Sequence, residues 1–202
     1  MKTEPPHPPK GRPRAFDTDV ALGRALELFW RQGYEGTSLS DLTAAMGINR
    51  PSLYAAFGNK EQLFRLALNR YLRGPAACLG EALREPTARK VAERMLRGVV
   101  GQMSDPKLPK GCLVVQAALS SGTEADPIRE ALAAHRNEAR NALRRRFEEA
   151  IAGGDLPKGT DATSLAGYLM AVIHGLAVQS ASGMSPRELQ AIAELAIQHW
   201  PA

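Results

Sequence analysis

Apolar residues along this chain recur at helical rather than strand spacing. Between residues 20 and 31, Leu22, Ala25, Leu26 and Phe29 fall at i, i+3, i+4 and i+7, the stripe of one helix face. Asp17 or Thr18 is placed to cap this helix, Asp19 sits in its first turn, and Gly33 follows its end. Ser38, with Asp41 three residues on, makes a capping-box pattern for a short second helix that runs to Met46. Gly47 can close that helix in the left-handed conformation. Only Ile48 and Asn49 intervene before a third helix, 50–57, in which Asn49 caps, Pro51 fits the first turn and Gly58 follows Phe57. Two short helices joined by so tight a turn predict a helix-turn-helix. Asn59 and Gln62 offer the cap of a fourth helix, carried onward by Leu63, Leu66, Ala67 and Leu68 to Leu79. Further helices are predicted at 87–103, 111–121, 126–152, 161–180 and 185–200. Asp126-Pro127 and Ser185-Pro186 mark two of these starts with a capping side chain before a first-position proline.

Composition agrees with this all-α reading of about nine helices. Hydrophobic residues are 44% of the 202 and aromatics 5%, with Ala and Leu ahead of the β-branched residues. The pattern divides into a basic arm at 1–15, a helix-turn-helix domain at 16–60 and a further helical domain at 61–202. The arm holds five prolines and the alternation Lys10, Arg12, Arg14, which can build neither a helix nor a core. Net charge is +5, and it is uneven: eleven Lys or Arg against seven Asp or Glu through Arg73 (+4), then fifteen against fourteen (+1). An anionic partner for the N-terminal third is the simplest reason. Cys78 and Cys112 form neither a zinc-spaced cluster nor a disulfide framework, so a cytoplasmic protein without metal or other cofactor is expected. Residues 162–185 carry no Asp, Glu, Lys or Arg, but the compact apolar part at 165–178 is short for a membrane span, and a buried helix is expected instead. Without a phosphate loop, nucleophile motif or metal-spaced histidines, the sequence reads as no enzyme.

The third helix carries the candidate chemistry. Leu53, Ala56 and Phe57 would face inward, leaving Arg50, Pro51, Ser52, Tyr54 and Ala55 outward at the end that enters a major groove. Arg50 can fork onto guanine O6 and N7, while Pro51 and Ala55 can touch thymine methyl groups. Tyr54 and Lys60, and Thr37 and Ser38 at the start of the second helix, suit phosphate. With Asn49 at the turn, these complete the expected duplex contacts, and Arg12 and Arg14 could reach a neighbouring minor groove. The alternative is an ordinary solvated surface on a small helical bundle.

From Ala25 to Phe64 the chain reads ALELFWRQGYEGTSLSDLTAAMGINRPSLYAAFGNKEQLF, with a Phe-x-x-x-Gly-Tyr-x-x-Thr-Ser entry and a Leu-Tyr-x-x-Phe-x-x-Lys-Glu-x-Leu exit. This stretch closely resembles the DNA-binding domain of the TetR family of bacterial regulators. The resemblance implies a homodimer on double-stranded operator DNA, a recognition helix at 50–57, and a ligand pocket among the C-terminal helices. Thr43 stands where Ala is usual, and Ala55 and Ala56 replace frequent aromatics, which leaves fewer large side chains to read bases.

Beyond the head, Gly167, Ala171 and Gly175 recur every four residues, flanked by Leu165, Leu169, Val172 and Leu176, a ridge suited to close helix approach across a two-fold axis. Leu189, Ile192, Ala196 and Trp200 of the last helix would join this dimer interface; plain intrachain core is the alternative. Met95, Val99, Met103, Val115, Met170 and Ile173 lie on apolar faces that could surround a small-molecule effector, with Gln116, His135 or His174 as polar contacts. Cys112 follows Lys110 and Gly111 at a helix start, where positive charge and the helix dipole favour a thiolate, so a thiol-based switch is a further possibility beside an inert apolar cysteine. A repressor released by its effector is the leading reading, and a helical binding module with a vestigial head the other.

Overall fold

The computed structural model describes residues 16–116 and 126–201, and among them there is no strand. The helices are α1 (Thr18–Gln32), α2 (Leu39–Met46), α3 (Arg50–Phe57), α4 (Lys60–Arg73), α5 (Cys78–Ala82), α6 (Ala88–Ser104), α7 (Leu113–Gln116), α8 (Asp126–Ala152), α9 (Ala162–Ala181) and α10 (Pro186–Gln198). Their starts follow the capping chemistry. Asp17 accepts from the backbone N–H of Asp19 at 2.8 Å and of Val20 at 3.2 Å, and capping boxes open α2, α4 and α10.

One element ends earlier than its pattern suggests. The fourth helix stops at Arg73 instead of continuing to Leu79, because Pro75 lacks an N–H and its ring would collide with the carbonyl one turn back. Gly74 turns the chain there, donating to Arg70 O at 3.0 Å, and the separate α5 begins at Cys78. The helix expected at 111–121 begins at Leu113; its portion at 117–121 lies outside the described residues.

Two hydrophobic cores result. The first joins α1 to α4 around Phe29, Trp30, Leu53, Leu63, Phe64 and Tyr71, and it also takes in Leu113 and Val114 of α7 and Ile128 and Leu132 of α8. Phe64 sits edge-on to Phe29 at 5.1 Å and to Tyr34 at 5.3 Å. The second is built by α6, the C-terminal part of α8, α9 and α10. The cores do not divide at residue 60: the buried stripe of α4 belongs wholly to the first.

Polar links tie the second core together at its edges. Asp155 accepts from the Ala88 N–H at 2.6 Å, Arg146 donates to Glu85 O at 2.8 Å, and Arg97 grips Glu194 through two bonds of 3.0 and 3.2 Å. Helix α9 is long and apolar enough to cross a membrane, yet Leu165, Leu169, Ile173 and Leu176 pack into this core against α6, α8 and α10. Phe64→Ala should lower the unfolding free energy by about 3 to 5 kcal/mol in urea denaturation, since it empties a fully buried aromatic site.

Candidate nucleic-acid interface and adjoining cavity

The helix-turn-helix is held by its own caps. The Ser38 hydroxyl accepts from the Asp41 N–H at 3.1 Å, and the Asp41 carboxylate accepts from the Ser38 hydroxyl at 2.6 Å and from the Ser38 N–H at 2.9 Å, which together keep the Asp41 carboxyl below its ordinary range. Gly47 takes φ 69° and ψ 32°, so the chain reverses in the left-handed region that a side chain would disfavour. Its N–H and that of Ile48 reach Thr43 O, and Asn49 then caps α3 by accepting from the Ser52 N–H at 2.8 Å.

Packing of Leu53 and Phe57 into the first core fixes the rotation of α3. The opposite side presents Arg50, Pro51, Tyr54 and Ala55 to solvent, with Tyr54 49% exposed and Ser52 half-buried beside them. Arg50 lies across the motif, its guanidinium donating to Ser40 Oγ at 2.9 Å. Lys60, at the start of α4, sets its ammonium 4.4 Å from the Tyr34 ring centroid.

Two expected contacts have other work. Thr37 is fully buried, and its hydroxyl donates to Gly33 O at 2.7 Å, so it braces the α1–α2 connection and cannot meet phosphate. The side chain of Asn49 is committed to the cap, although the residue itself is exposed. Ser38 stays exposed at the N-terminus of α2, and Arg12 and Arg14 lie outside the described residues.

Behind the head, a cavity of about 90 Å³ lies where the two cores meet. Met95, Val99, Met103, Met170 and Ile173 supply apolar wall, and Cys112, His135 and His174 join them. Gln116 and Val115 do not: the Gln116 amide turns to Lys110 O at 3.3 Å, and Val115 packs against the second core. Tyr71, Cys78, Gln102 and Arg136 also line the cavity, and the sequence pattern had not pointed to any of them. The Tyr71 hydroxyl donates to Cys112 Sγ at 3.2 Å and accepts from the Gln102 amide at 3.1 Å. Burial, with Cys112 second, pushes the Tyr71 phenol far above its usual value, so it stays protonated. Its ring meets Trp30 edge-on at 4.7 Å, joining cavity wall to α1.

Burial pushes both cavity histidines below the ordinary imidazole value, with Arg136 adding to the effect at each and Glu138 opposing it at His135. Burial also raises the Cys78 thiol. Among the described residues no three His, Cys, Asp or Glu side chains gather as a metal site.

The anticipated subunit interface separates by helix face. Leu165, Leu169, Leu176, Leu189, Ala196 and Trp200 are buried within their own chain, because the leucine stripe of α9 and the inner face of α10 close the second core. Ala171, Gly175 and Ile192 are exposed, Gly167 and Val172 half-buried, and Tyr168, Val178 and Leu195 extend the same outer surface.

Two measurements probe these assignments. Ser38→Ala should cost about 1 kcal/mol of stability in chemical denaturation by removing the cap of α2. His174 has a folded-state pKa below its unfolded value of about 6.5, so the unfolded chain takes up more protons as acid is added and stability falls below that pH. His174→Gln should show a shallower loss of melting temperature between pH 7 and pH 5 than the parent protein.

Family models match this architecture in two parts. Residues 21–67 match the model described as bacterial regulatory proteins of the tetR family, and residues 89–195 match a tetracyclin repressor-like C-terminal domain. The transcriptional repressor ComR of Escherichia coli is 32% identical over 194 residues, spanning 95% of this chain and 92% of that protein. A cysteine mutant of the TetR family regulator CifR, solved with 26-base-pair operator DNA, superposes with a TM-score of 0.89 at 45% identity, covering 94% of this chain and all of that one. A TetR regulator from Chloroflexus aurantiacus, at 24% identity, 90% and 92% coverage and TM-score 0.78, shares the fold. With a helix-turn-helix match at one end, a family-specific C-terminal domain over more than half its length, and a full-length relative, the chain belongs to the TetR family of transcriptional regulators.

Proposed function

We propose that the protein is a homodimeric repressor that leaves a palindromic operator in the cytoplasm when a small molecule fills the cavity behind its head. The observation that carries this reading is the placement of the two ends of α4. Near its start the helix packs with the recognition helix in the first core, and near its end it supplies Tyr71 of the same stripe to the cavity wall. Arg50 reads a base edge, Pro51 and Ala55 lie against base methyl groups, and Tyr54, Lys60 and the Ser38 end of α2 hold phosphates. One eight-residue recognition helix covers too few base pairs for a specific site. A two-fold pair spaced by about 34 Å, one turn of duplex, covers enough. The outer apolar face of α9 and α10, with Tyr168, Val178, Ile192 and Leu195 exposed, is the surface for that pairing. That CifR was solved with a duplex operator supports the DNA side of this reading.

Release is a population shift. A molecule in the cavity displaces Tyr71, and with it α4 and the Trp30 contact, so the paired recognition helices no longer match the groove spacing. A second reading keeps the same motion but starts it by chemical modification of Cys112, whose sulfur faces the Tyr71 hydroxyl in the cavity wall. Unchanged derepression of a Cys112→Ser variant by thiol-reactive compounds would dispose of it.

Fluorescence anisotropy with DNA flanking the gene is the direct test. The parent protein should bind one duplex selectively, and Arg50→Glu with Lys60→Glu should abolish that binding while leaving the melting temperature within a few degrees. Selective binding that survives both charge reversals would overturn the reading. Leu195→Asp should shift the protein towards monomer in analytical ultracentrifugation and weaken operator binding with it.

A further inference from the structure

Several arginines on the outer helix faces are matched with acids, among them Arg65 with Glu61, Arg70 with Asp19, Arg94 with Glu81, Arg97 with Glu194 and Arg144 with Glu148. Arg136 is not. It stands half-buried on α8 as part of the cavity lining, and among the described residues its guanidinium has one hydrogen bond, to Val114 O at 3.2 Å. A guanidinium has five N–H donors in a planar fork, so donors remain after that bond. No carboxylate among the described residues pairs with it, and among the described residues that line the cavity it is the only Lys, Arg, Asp or Glu.

The rest of the wall sharpens the contrast. Met95, Val99, Met170 and Ile173 are apolar, and burial disfavours the charged form of His135 and His174. Beside burial, Arg136 is the charged group that acts on His174, whereas at His135 Glu138 acts more strongly in the opposite sense. A cation facing a largely apolar cavity without a counter-ion is costly until an anion arrives, and a planar carboxylate is the shape a guanidinium holds best. Size narrows the class further. An apolar cavity of about 150 Å³ admits a benzene ring. This one, at about 90 Å³, suits fewer atoms, although the methionines that line it can yield somewhat.

We propose that the cavity binds a small aliphatic monocarboxylate, its carboxylate on the Arg136 guanidinium and its compact tail between Met95, Val99, Met170 and Ile173. This deepens the repressor reading, on which it depends for its consequence at the operator but not for the binding itself. In that position the tail lies across the cavity shared with Tyr71 and Gln102, so occupation is felt at Tyr71, whose ring links the cavity to α1.

The test titrates the full chain by calorimetry with propionate, butyrate and isobutyrate beside methyl butyrate, 1-butanol and butylamine, then repeats the series by anisotropy with operator bound. The acids should bind on the order of tenfold or more tighter than the uncharged compounds and the amine. Arg136→Gln should bring the acids down to the level of the ester, and Arg136→Lys should retain part of the preference; unchanged operator affinity in both variants shows that they fold. Equal binding of ester and acid, acid binding that survives Arg136→Gln, or no acid binding at all overturns the carboxylate assignment. Acids that bind through Arg136 yet leave operator occupancy intact uphold it and instead overturn release from this cavity.

Discussion

A phenol hydroxyl removed from water has to keep its hydrogen-bonding partners, and the position of Tyr71 makes that requirement govern the molecule. Its ring is part of the head's core against Trp30, while its hydroxyl sits between Gln102 of α6 and Cys112 at the start of α7. Neither core can move far past the other without breaking one of these bonds inside a poorly solvated space. The junction between head and body therefore rests on a few buried contacts, which fix how the two cores meet.

Charge is distributed in keeping with this division. Ion pairs among α5, α6 and α10 fasten the outside of the body, and the pair between Asp19 and Arg70 binds the first turn of α1 to the last turn of α4. Such exposed pairs add little individually, but they orient helices that the apolar cores hold together. On α3 the first turn holds no acid, so nothing there opposes the phosphate backbone.

Much of the head was legible before any coordinates, because its helices announce themselves by local chemistry. Ser38 with Asp41, Asn49 with Ser52 and Asn59 with Gln62 are contacts between residues three apart, and they form as the pattern predicts. The inward and outward faces of α3 likewise follow from Leu53 and Phe57. What the sequence hid is non-local. Arg136 and Gln102 look like ordinary surface residues on amphipathic helices until α8 and α6 are placed around one cavity. The outer and inner faces of α9 are both apolar, so periodicity alone could not sort Leu165 and Leu169 into the core and Ala171 and Gly175 onto the surface. Thr37 misled for a related reason: a hydroxyl near a helix start suggests a phosphate contact, but the backbone carbonyl of Gly33 claims it.

Leu113, Val114, Ile128 and Leu132 lie far along the chain from the helix-turn-helix, yet they complete its core. Regulators of this kind invite the construction of chimaeras, in which one protein's operator preference is grafted onto another's sensing body. Here a splice in the loop between α3 and α4 would set a borrowed head against these four side chains and the α4 stripe, all shaped for a different surface. Exchanging only the solvent-facing residues of α3 would preserve that joint, so new operator specificity in this chain is better written on one helix face than imported as a module.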